Sequence, residues 1–162
     1  MPRQLFVIRH AAAEEATSGM QDFERSLTAK GRKQFRSVAE WLVEHGQVPR
    51  LILTSPLNRA LETAEILASA ANIGKEDIEV EQQLSPGLDP VRLVNLLDSL
   101  DESPIAIVGH EPDLSHFTSE LIGGGHLNLC KGAVACLEFD EQVGLGEGRL
   151  RWLITPKLLQ TP

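Results

Sequence analysis

Short apolar runs alternate along the chain with longer stretches in which apolar residues recur every three or four positions. Short runs bounded by turn residues are typical of buried strands, and a period of three to four is typical of amphipathic helices. Six runs fit the strand pattern, at residues 4–8, 51–53, 78–80, 105–108, 133–139 and 150–154.

Four segments between the predicted strands have helical periodicity. Residues that cap helices, or that suit the first helical position, mark where they begin, and a glycine marks one end. In the second helix we expect Ser55 as the N-cap and Pro56 as the first residue. The four helices are expected between Thr28 and Gly46, from Ser55-Pro56, from Asp89-Pro90 and over residues 112–122.

The order of the predicted elements is β-α-β-α-β-α-β-α-β-β. Parallel strands joined by crossover helices are the economical arrangement for such an order. The predicted fold class is therefore α/β, a three-layer α/β/α sandwich with a central, mostly parallel sheet. Because 162 residues suit one core and no linker or repeat interrupts them, we expect a single domain over residues 1–162.

Composition and charge narrow the choice of partners. The chain is 42% hydrophobic and 23% charged, which is an ordinary balance for a globular protein, and its net charge is −8. An acidic surface argues against general binding to nucleic acid or anionic membrane. No apolar run approaches the roughly 18 residues of a membrane span, and the first apolar run is too short for a signal peptide. We therefore expect a cytoplasmic protein, and a monomer, since no coiled-coil pattern is present.

The chain contains two cysteines, Cys130 and Cys136. If both lie on one strand they are roughly 20 Å apart at about 3.3 Å per residue, which is too far for a disulfide. They do not form a metal-binding Cys/His pattern. We interpret both as small core thiols and expect no metal or cofactor.

Cationic or potentially cationic side chains follow three of the predicted strands. Arg9 and His10 come directly after the first strand, and Arg59 lies in the first turn after the second. His110 follows the strand at 105–108. Because the carboxyl ends of parallel strands share one edge of the sheet, these four side chains are expected to converge there, beside helix N-termini that add positive partial charge.

Two arginines and two histidines suit a phosphoryl group. Arginine makes forked, charge-assisted hydrogen bonds to phosphate oxygens. A neutral imidazole in line with the phosphorus is a nucleophile, and the remaining groups stabilise the charge of the transition state. The chain has neither a Walker-type glycine-rich loop nor an acidic cluster with metal-ligand spacing. The residues therefore predict metal-free phosphoryl transfer.

Four motifs resemble those of the histidine phosphatase superfamily, the phosphoglycerate mutase-like proteins. They are "VIRHA", "FERSLTAKGRKQ", "SPLNRALETAE" and "VGHEPDLS", in the superfamily's order. The chain most resembles its short SixA-type phosphohistidine phosphatases. The resemblance implies that His10 is the phosphorylated nucleophile, that Arg9 and Arg59 hold the phosphoryl oxygens, and that His110 stabilises the transition state. Ser55 is a further candidate for substrate binding.

Ala11 stands where most of these relatives have glycine. The family's main-chain carbonyl at this position orients the nucleophilic imidazole, and alanine also supplies a carbonyl. The backbone angle at residue 11 must then be one that alanine tolerates.

The chain also departs from many of these relatives in lacking a Leu-x-Glu pattern after the third strand. Residues 85–87, Ser-Pro-Gly, stand where that glutamate would fall. General-acid protonation of an ester leaving group is commonly worth about 10²–10⁴-fold, whereas a phosphoramidate has a better leaving group. The missing acid favours phosphohistidine as substrate, although Glu79, Glu81 or Glu111 could act from a shifted position.

The predicted function is therefore hydrolysis of phosphohistidine on a signalling protein of the histidine-phosphotransfer type, through phospho-His10. Short segments after the strands predict an open pocket that suits a protein side chain. One alternative is a phosphomonoesterase or mutase acting on a small phosphorylated metabolite. Another, of a different class, is a non-catalytic phosphate-binding module.

Overall fold

The computed structural model describes residues 1–159, so residues 160–162 of the domain predicted over 1–162 lie outside the described part. All six predicted strands are present and differ from the predicted bounds by at most two residues at either end. They are β1 Arg3–Arg9, β2 Leu51–Thr54, β3 Ile78–Val80, β4 Ile105–Gly109, β5 Val134–Phe139 and β6 Arg149–Ile154.

The six strands form one sheet in the order β3-β2-β4-β1-β5-β6. The first four strands of the chain pair in parallel with one another, and β5 and β6 add an antiparallel edge. The prediction of a mostly parallel sheet is confirmed. In this order β4 lies between β1 and β2, so the ends of all three strands that precede candidate site residues are neighbours.

Helices cover both faces of the sheet. They are α1 Ala29–Glu44, α2 Asn58–Ala71, α3 Pro90–Ser99 and α4 Asp113–Leu121. Alternate residues of β1 point to opposite faces, as the pleat requires: Phe6 and Ile8 join a core with α1 and α2, and Leu5 and Val7 join a core with α3 and α4. The predicted three-layer α/β/α fold is therefore confirmed.

Side chains cap the first and third helices, at the predicted cap Thr28 and at Asp89, where the third helix is expected to begin. The Thr28 hydroxyl accepts a hydrogen bond from the Gly31 amide at 2.9 Å, and the Asp89 carboxylate accepts from the Val91 amide at 3.1 Å. These bonds satisfy amide groups that the first turn of a helix leaves without partners.

The predicted start of the second helix is wrong. The α2 helix begins at Asn58 with Leu57 as its N-cap, so Ser55 and Pro56 precede the helix. The Ser55 hydroxyl accepts a hydrogen bond from the Leu57 amide at 3.2 Å, which forms a tight turn between strand and helix. A serine that bonds the amide two residues ahead has the same sequence signature as an N-cap.

A close contact of the α1 helix positions the segment that follows β1. The Thr28 amide donates to the Ala12 carbonyl at 2.9 Å. At Gly31 a Cβ atom would overlap that same carbonyl oxygen, so only glycine lets the helix approach this closely. The "LTAKG" motif thereby holds the chain just beyond Arg9-His10 against a rigid helix.

The two cysteines lie in different environments. Cys136 is buried in β5, where burial raises the pKa of its thiol to about 12. Cys130 precedes the strand and is exposed, so the prediction of two core thiols is wrong for this residue. The strand begins only at Val134, after a turn that leaves Cys130 at the surface. No helix in residues 1–159 has the length and apolar character needed to span a membrane.

Candidate active site

The backbone of Arg9 and His10 is held from both sides. The His10 amide donates to the Gly109 carbonyl of β4 at 3.1 Å. From the other side, the Gly132 amide donates to the carbonyls of Arg9 and His10 at 3.1 and 3.0 Å. Both side chains therefore leave the carboxyl end of β1 from a fixed backbone, as catalytic positioning requires.

One hydrogen bond decides the tautomer of His10. Its Nδ1 atom lies 2.7 Å from the Ala11 carbonyl oxygen, which can only accept. Nδ1 therefore carries the proton, and in the neutral ring Nε2 holds the free electron pair. The side chain is only 8% exposed, so this nitrogen meets few water molecules.

A buried hydroxyl fixes the position of that carbonyl. Thr63 Oγ1 accepts from the Ala11 amide at 3.1 Å and donates to the Arg59 carbonyl at 2.7 Å. Ala11 is outside the positive-φ region, so alanine fits the position without strain. Thr63 links the backbone of one candidate arginine to the group that orients the candidate nucleophile, a role that its place in the sequence motif did not reveal.

His110 lies opposite His10, with 5.2 Å between the ring centroids. Its Nε2 atom is 2.7 Å from the Ser55 hydroxyl, so Ser55 holds the ring in place. Both residues are buried. His110 Nδ1 is also buried and has no hydrogen-bond partner among the described residues. A buried nitrogen of this kind needs a reason, and an oxygen of a bound anion would supply one.

Burial and positive neighbours keep both imidazoles neutral at pH 7. Desolvation first, and then the charges of His110, Arg59 and Arg9, lower the pKa of His10 to about 3 against the opposing effect of the Ala11 carbonyl. Desolvation followed by Arg59 lowers the pKa of His110 to about 4, although Asp113 opposes this. A buried imidazole next to two guanidinium groups loses its proton readily.

Arg59 is held by an aspartate that the sequence did not indicate. Its Nη1 atom donates to the Asp22 carbonyl at 3.0 Å, and Nη2 donates to the Asp22 carboxylate at 3.1 Å. Hydrogen bonds from Arg25 and then Arg59 hold the pKa of this carboxyl below its usual value. Asp22 lies in the irregular segment between β1 and α1, where nothing in the pattern connects it with a residue 37 positions away.

Arg9 lies close enough to both imidazoles to lower their pKa values. Its Nη1 atom donates to the Leu129 carbonyl at 3.1 Å, while its buried Nε has no partner among residues 1–159. The structure thus brings together the five residues that the sequence singled out, namely Arg9, His10, Ser55, Arg59 and His110.

Of the three glutamates that could replace the missing general acid, two make other hydrogen bonds. The Glu111 carboxylate binds the amide and hydroxyl of Ser115. Glu81 accepts from the Gln83 amide at 3.3 Å, and Glu79 is exposed on β3. Within the described part of the chain, no carboxylate hydrogen-bonds to His10 or His110.

The segment 85–87, which stands where the acid of many relatives would fall, is held against the start of α4. The Asp113 carboxylate accepts hydrogen bonds from the Gly87 amide at 2.8 Å and the Leu88 amide at 3.3 Å. Residues 1–159 contain no group of three or more His, Cys, Asp or Glu side chains placed to hold a metal ion.

Two imidazoles and two guanidiniums lie together at the carboxyl edge of the parallel strands of an α/β protein, and guanidinium forks suit the oxygens of a tetrahedral anion. The family model described as "Histidine phosphatase superfamily (branch 1)" matches residues 5–86. The chain belongs to the histidine phosphatase superfamily, whose members include hydrolases of phosphorylated substrates.

Two curated proteins are similar over most of their length. An uncharacterised protein from Picosynechococcus sp. (strain ATCC 27264 / PCC 7002 / PR-6) is 34% identical over 154 residues, which cover 91% of this chain and 87% of that protein. Phosphohistidine phosphatase SixA from Escherichia coli (strain K12) is 28% identical over 157 residues, or 94% of each chain.

Solved structures agree in fold. The protein histidine phosphatase SixA complexed with tungstate matches with a TM-score of 0.87 and 27% identity, covering 97% of this chain and 99% of that one. A phosphoserine phosphatase from Entamoeba histolytica, in complex with phosphoserine, matches with a TM-score of 0.71 at 16% identity, covering 97% and 99%. The second likeness concerns the fold alone, and this fold therefore also occurs in a phosphoserine phosphatase.

Proposed function

We propose that this protein is a phosphohistidine phosphatase that dephosphorylates a histidine on a signalling protein of the histidine-phosphotransfer type. The reaction passes through phospho-His10 and needs no metal ion. The observation that carries the proposal is His10 itself. It is a buried, neutral imidazole with Nδ1 bound to the Ala11 carbonyl and Nε2 free, and it faces a second histidine between two arginines.

The first step transfers the phosphoryl group to His10. Nε2 attacks the phosphorus, a bond forms between Nε2 and phosphorus, and the P–N bond of the substrate breaks. The departing imidazole keeps the electron pair and leaves neutral when its other ring nitrogen carries a proton. The Arg9 and Arg59 forks and His110 stabilise the phosphoryl oxygens in the transition state.

The second step returns His10 to its starting state. Water attacks the phosphorus, one proton of the water passes to the phosphate product, and Nε2 leaves with the electron pair. Because the Ala11 carbonyl keeps the proton on Nδ1, the ring carries positive charge while phosphorylated and leaves as neutral imidazole. The carbonyl thus favours both formation and hydrolysis of the intermediate.

The choice of phosphohistidine over an ester rests on the leaving group. Glu81 and Glu111 are hydrogen-bonded elsewhere, and the turn at 85–87 supplies no acid. An alkoxide needs protonation as it leaves, whereas a protonated imidazole does not. The similarity to SixA, named a phosphohistidine phosphatase, supports the same choice, and tungstate bound to SixA is a tetrahedral oxyanion like phosphate.

Comparison of substrates tests the proposal. We expect kcat/KM for a histidine-phosphotransfer domain phosphorylated with phosphoramidate to exceed that for phosphoserine or 3-phosphoglycerate by at least about 10²-fold. EDTA is expected to leave the rate unchanged. Faster turnover of either alkyl ester would overturn the substrate assignment, and inactivation by EDTA would overturn the metal-free mechanism. p-Nitrophenyl phosphate alone does not decide, because its leaving group needs no acid.

Arg59→Lys is expected to lower kcat/KM at least about tenfold, or about 1.4 kcal/mol. Lysine keeps the charge but loses the planar fork, and it cannot bind a phosphoryl oxygen and Asp22 at once in the same geometry. The matched control is Arg32→Lys, which alters an exposed ion pair with Glu62 on neighbouring helices. Equal kcat/KM values for wild type and Arg59→Lys would remove Arg59 from phosphoryl binding.

A further inference from the structure

A groove opens beside the candidate active site, and Arg9 belongs both to this groove and to the site. It has a volume of about 430 Å³, and its walls come from four separate parts of the chain. We call it the basic groove. Its lining residues are Arg9, Lys30, Gln34, Cys130, Lys131 and, after β6, Pro156 and Lys157.

The charge of this groove is unusual for the protein. Four of its seven lining residues are cationic and none is acidic, although the chain as a whole has a net charge of −8. Three of the chain's five lysines are here. All three are exposed, and among the described residues none forms a salt bridge. Gathering cations without carboxylate partners creates a local positive potential that attracts an anionic partner.

The groove is built on rigid elements that also build the active site. Lys30 and Gln34 are one helical turn apart on α1, the helix whose Gly31 packs against Ala12. The turn with Cys130 and Lys131 is fixed through its neighbours, since Leu129 accepts a hydrogen bond from Arg9 and Gly132 donates to the Arg9 carbonyl. A partner in the groove would therefore lie at a fixed position relative to His10.

We propose that the basic groove is the docking surface for an acidic segment of the phosphoprotein substrate, next to its phosphohistidine. The proposal rests on the proposed function and adds how the substrate is recognised. The groove is open and its lysines are exposed on separate elements, which suits a protein surface more than a small anion enclosed by buried donors. Contacts of this kind raise the rate of association and leave the chemical step unchanged.

The test uses the variant Lys30→Glu/Lys131→Glu/Lys157→Glu. Its substrate is a histidine-phosphotransfer domain with Asp or Glu beside the phosphohistidine, phosphorylated with phosphoramidate. At low salt we expect kcat/KM to fall about 10- to 100-fold, mainly through KM. Turnover of p-nitrophenyl phosphate is expected to stay within about twofold, because no residue of the phosphoryl site is changed. At 0.5 M NaCl the Debye length is about 4 Å. This salt concentration should lower kcat/KM of the wild type and so remove most of the difference between wild type and variant.

The matched control is the variant Arg36→Glu/Arg50→Glu/Lys75→Glu. It changes three exposed cations outside the groove and so has the same net charge as the groove variant. We expect this control to stay within about threefold of wild type on the phosphoprotein. The milder variant Lys30→Gln/Lys131→Gln/Lys157→Gln should show an intermediate loss. It serves if the charge-reversed variant does not fold, as judged by its thermal unfolding.

The possible outcomes separate this proposal from the proposed function. No turnover of the phosphoprotein by the wild type overturns the proposed function and the docking proposal together. The docking proposal alone is overturned if the groove variants turn over the phosphoprotein as fast as wild type. It is also overturned if they lose as much turnover of p-nitrophenyl phosphate as of the phosphoprotein. Docking is likewise overturned if the control variant loses as much kcat/KM on the phosphoprotein as the groove variants do. Tight binding of tripolyphosphate that only the groove variants lose would indicate a small-polyanion site and overturn docking of a protein.

Discussion

His10→Ala is expected to lower turnover of a phosphohistidine protein by at least about 10³-fold, because it removes the atom that accepts the phosphoryl group. The side chain is buried against His110 and its Nδ1 is held by the Ala11 carbonyl, which leaves Nε2 as the nitrogen that attacks. Wild-type protein quenched rapidly without acid should carry phosphate on His10, and mass spectrometry should locate it there. The variant should carry none.

His116→Ala is the matched control for this substitution, since it also removes an imidazole, but one that is exposed on α4. It is expected to keep wild-type turnover. A non-catalytic phosphate-binding module would have no turnover for His10→Ala to remove, so undetectable wild-type hydrolysis would favour that class. Phosphate found on another residue, with hydrolysis intact in His10→Ala, would remove His10 as the nucleophile.

The protein is expected to lose on the order of 4 kcal/mol of its free energy of unfolding between pH 7 and pH 4.5 through the two site histidines. Burial lowers the pKa of His10 to about 3 and that of His110 to about 4 in the folded protein. In the unfolded chain each binds a proton near its ordinary pKa of about 6.5. Because the unfolded state binds more protons in this range, stability is full above pH 6.5 and falls as the pH falls towards 4.

Urea unfolding at pH 7 and pH 4.5 measures this change. Asp22, held by Arg25, and Asp140, held by Arg149, have lowered pKa values, so their contributions are lost mainly below pH 4. The variant His10→Asn/His110→Asn should therefore lose most of the difference between the two pH values. His45→Asn/His116→Asn, which changes two exposed histidines, should keep it. Equal pH dependence in wild type and the site variant would contradict the buried neutral pair.

The secondary structure and the convergence of the site residues could be predicted from local sequence patterns. The run 4–8 predicted a strand because apolar residues buried on both faces of a parallel sheet form a continuous run. Strand ends share an edge in such a sheet, so the meeting of Arg9, Arg59 and His110 followed from connectivity alone. The motifs added the order of the parts, and the family model confirms the assignment over residues 5–86.

Contacts between distant segments were not predictable in this way. Ser55 has the sequence signature of a helix cap, but its hydroxyl holds His110, a residue 55 positions away. Asp22 holds Arg59, and Thr63 holds Ala11. Each is a single polar residue without a periodic pattern, and only the packing of segments that are distant in sequence gives it a partner.

The α/β/α layering and the two arginines and two histidines of the site could be predicted from the sequence, because both follow from periodicity and from the ends of strands. Folding alone provides the contacts that set the tautomer of His10, the neutral state of the histidine pair and the basic groove beside Arg9. Tautomer and protonation depend on burial and on a single carbonyl. The groove depends on lysines more than 120 positions apart, which only the folded chain brings to one surface.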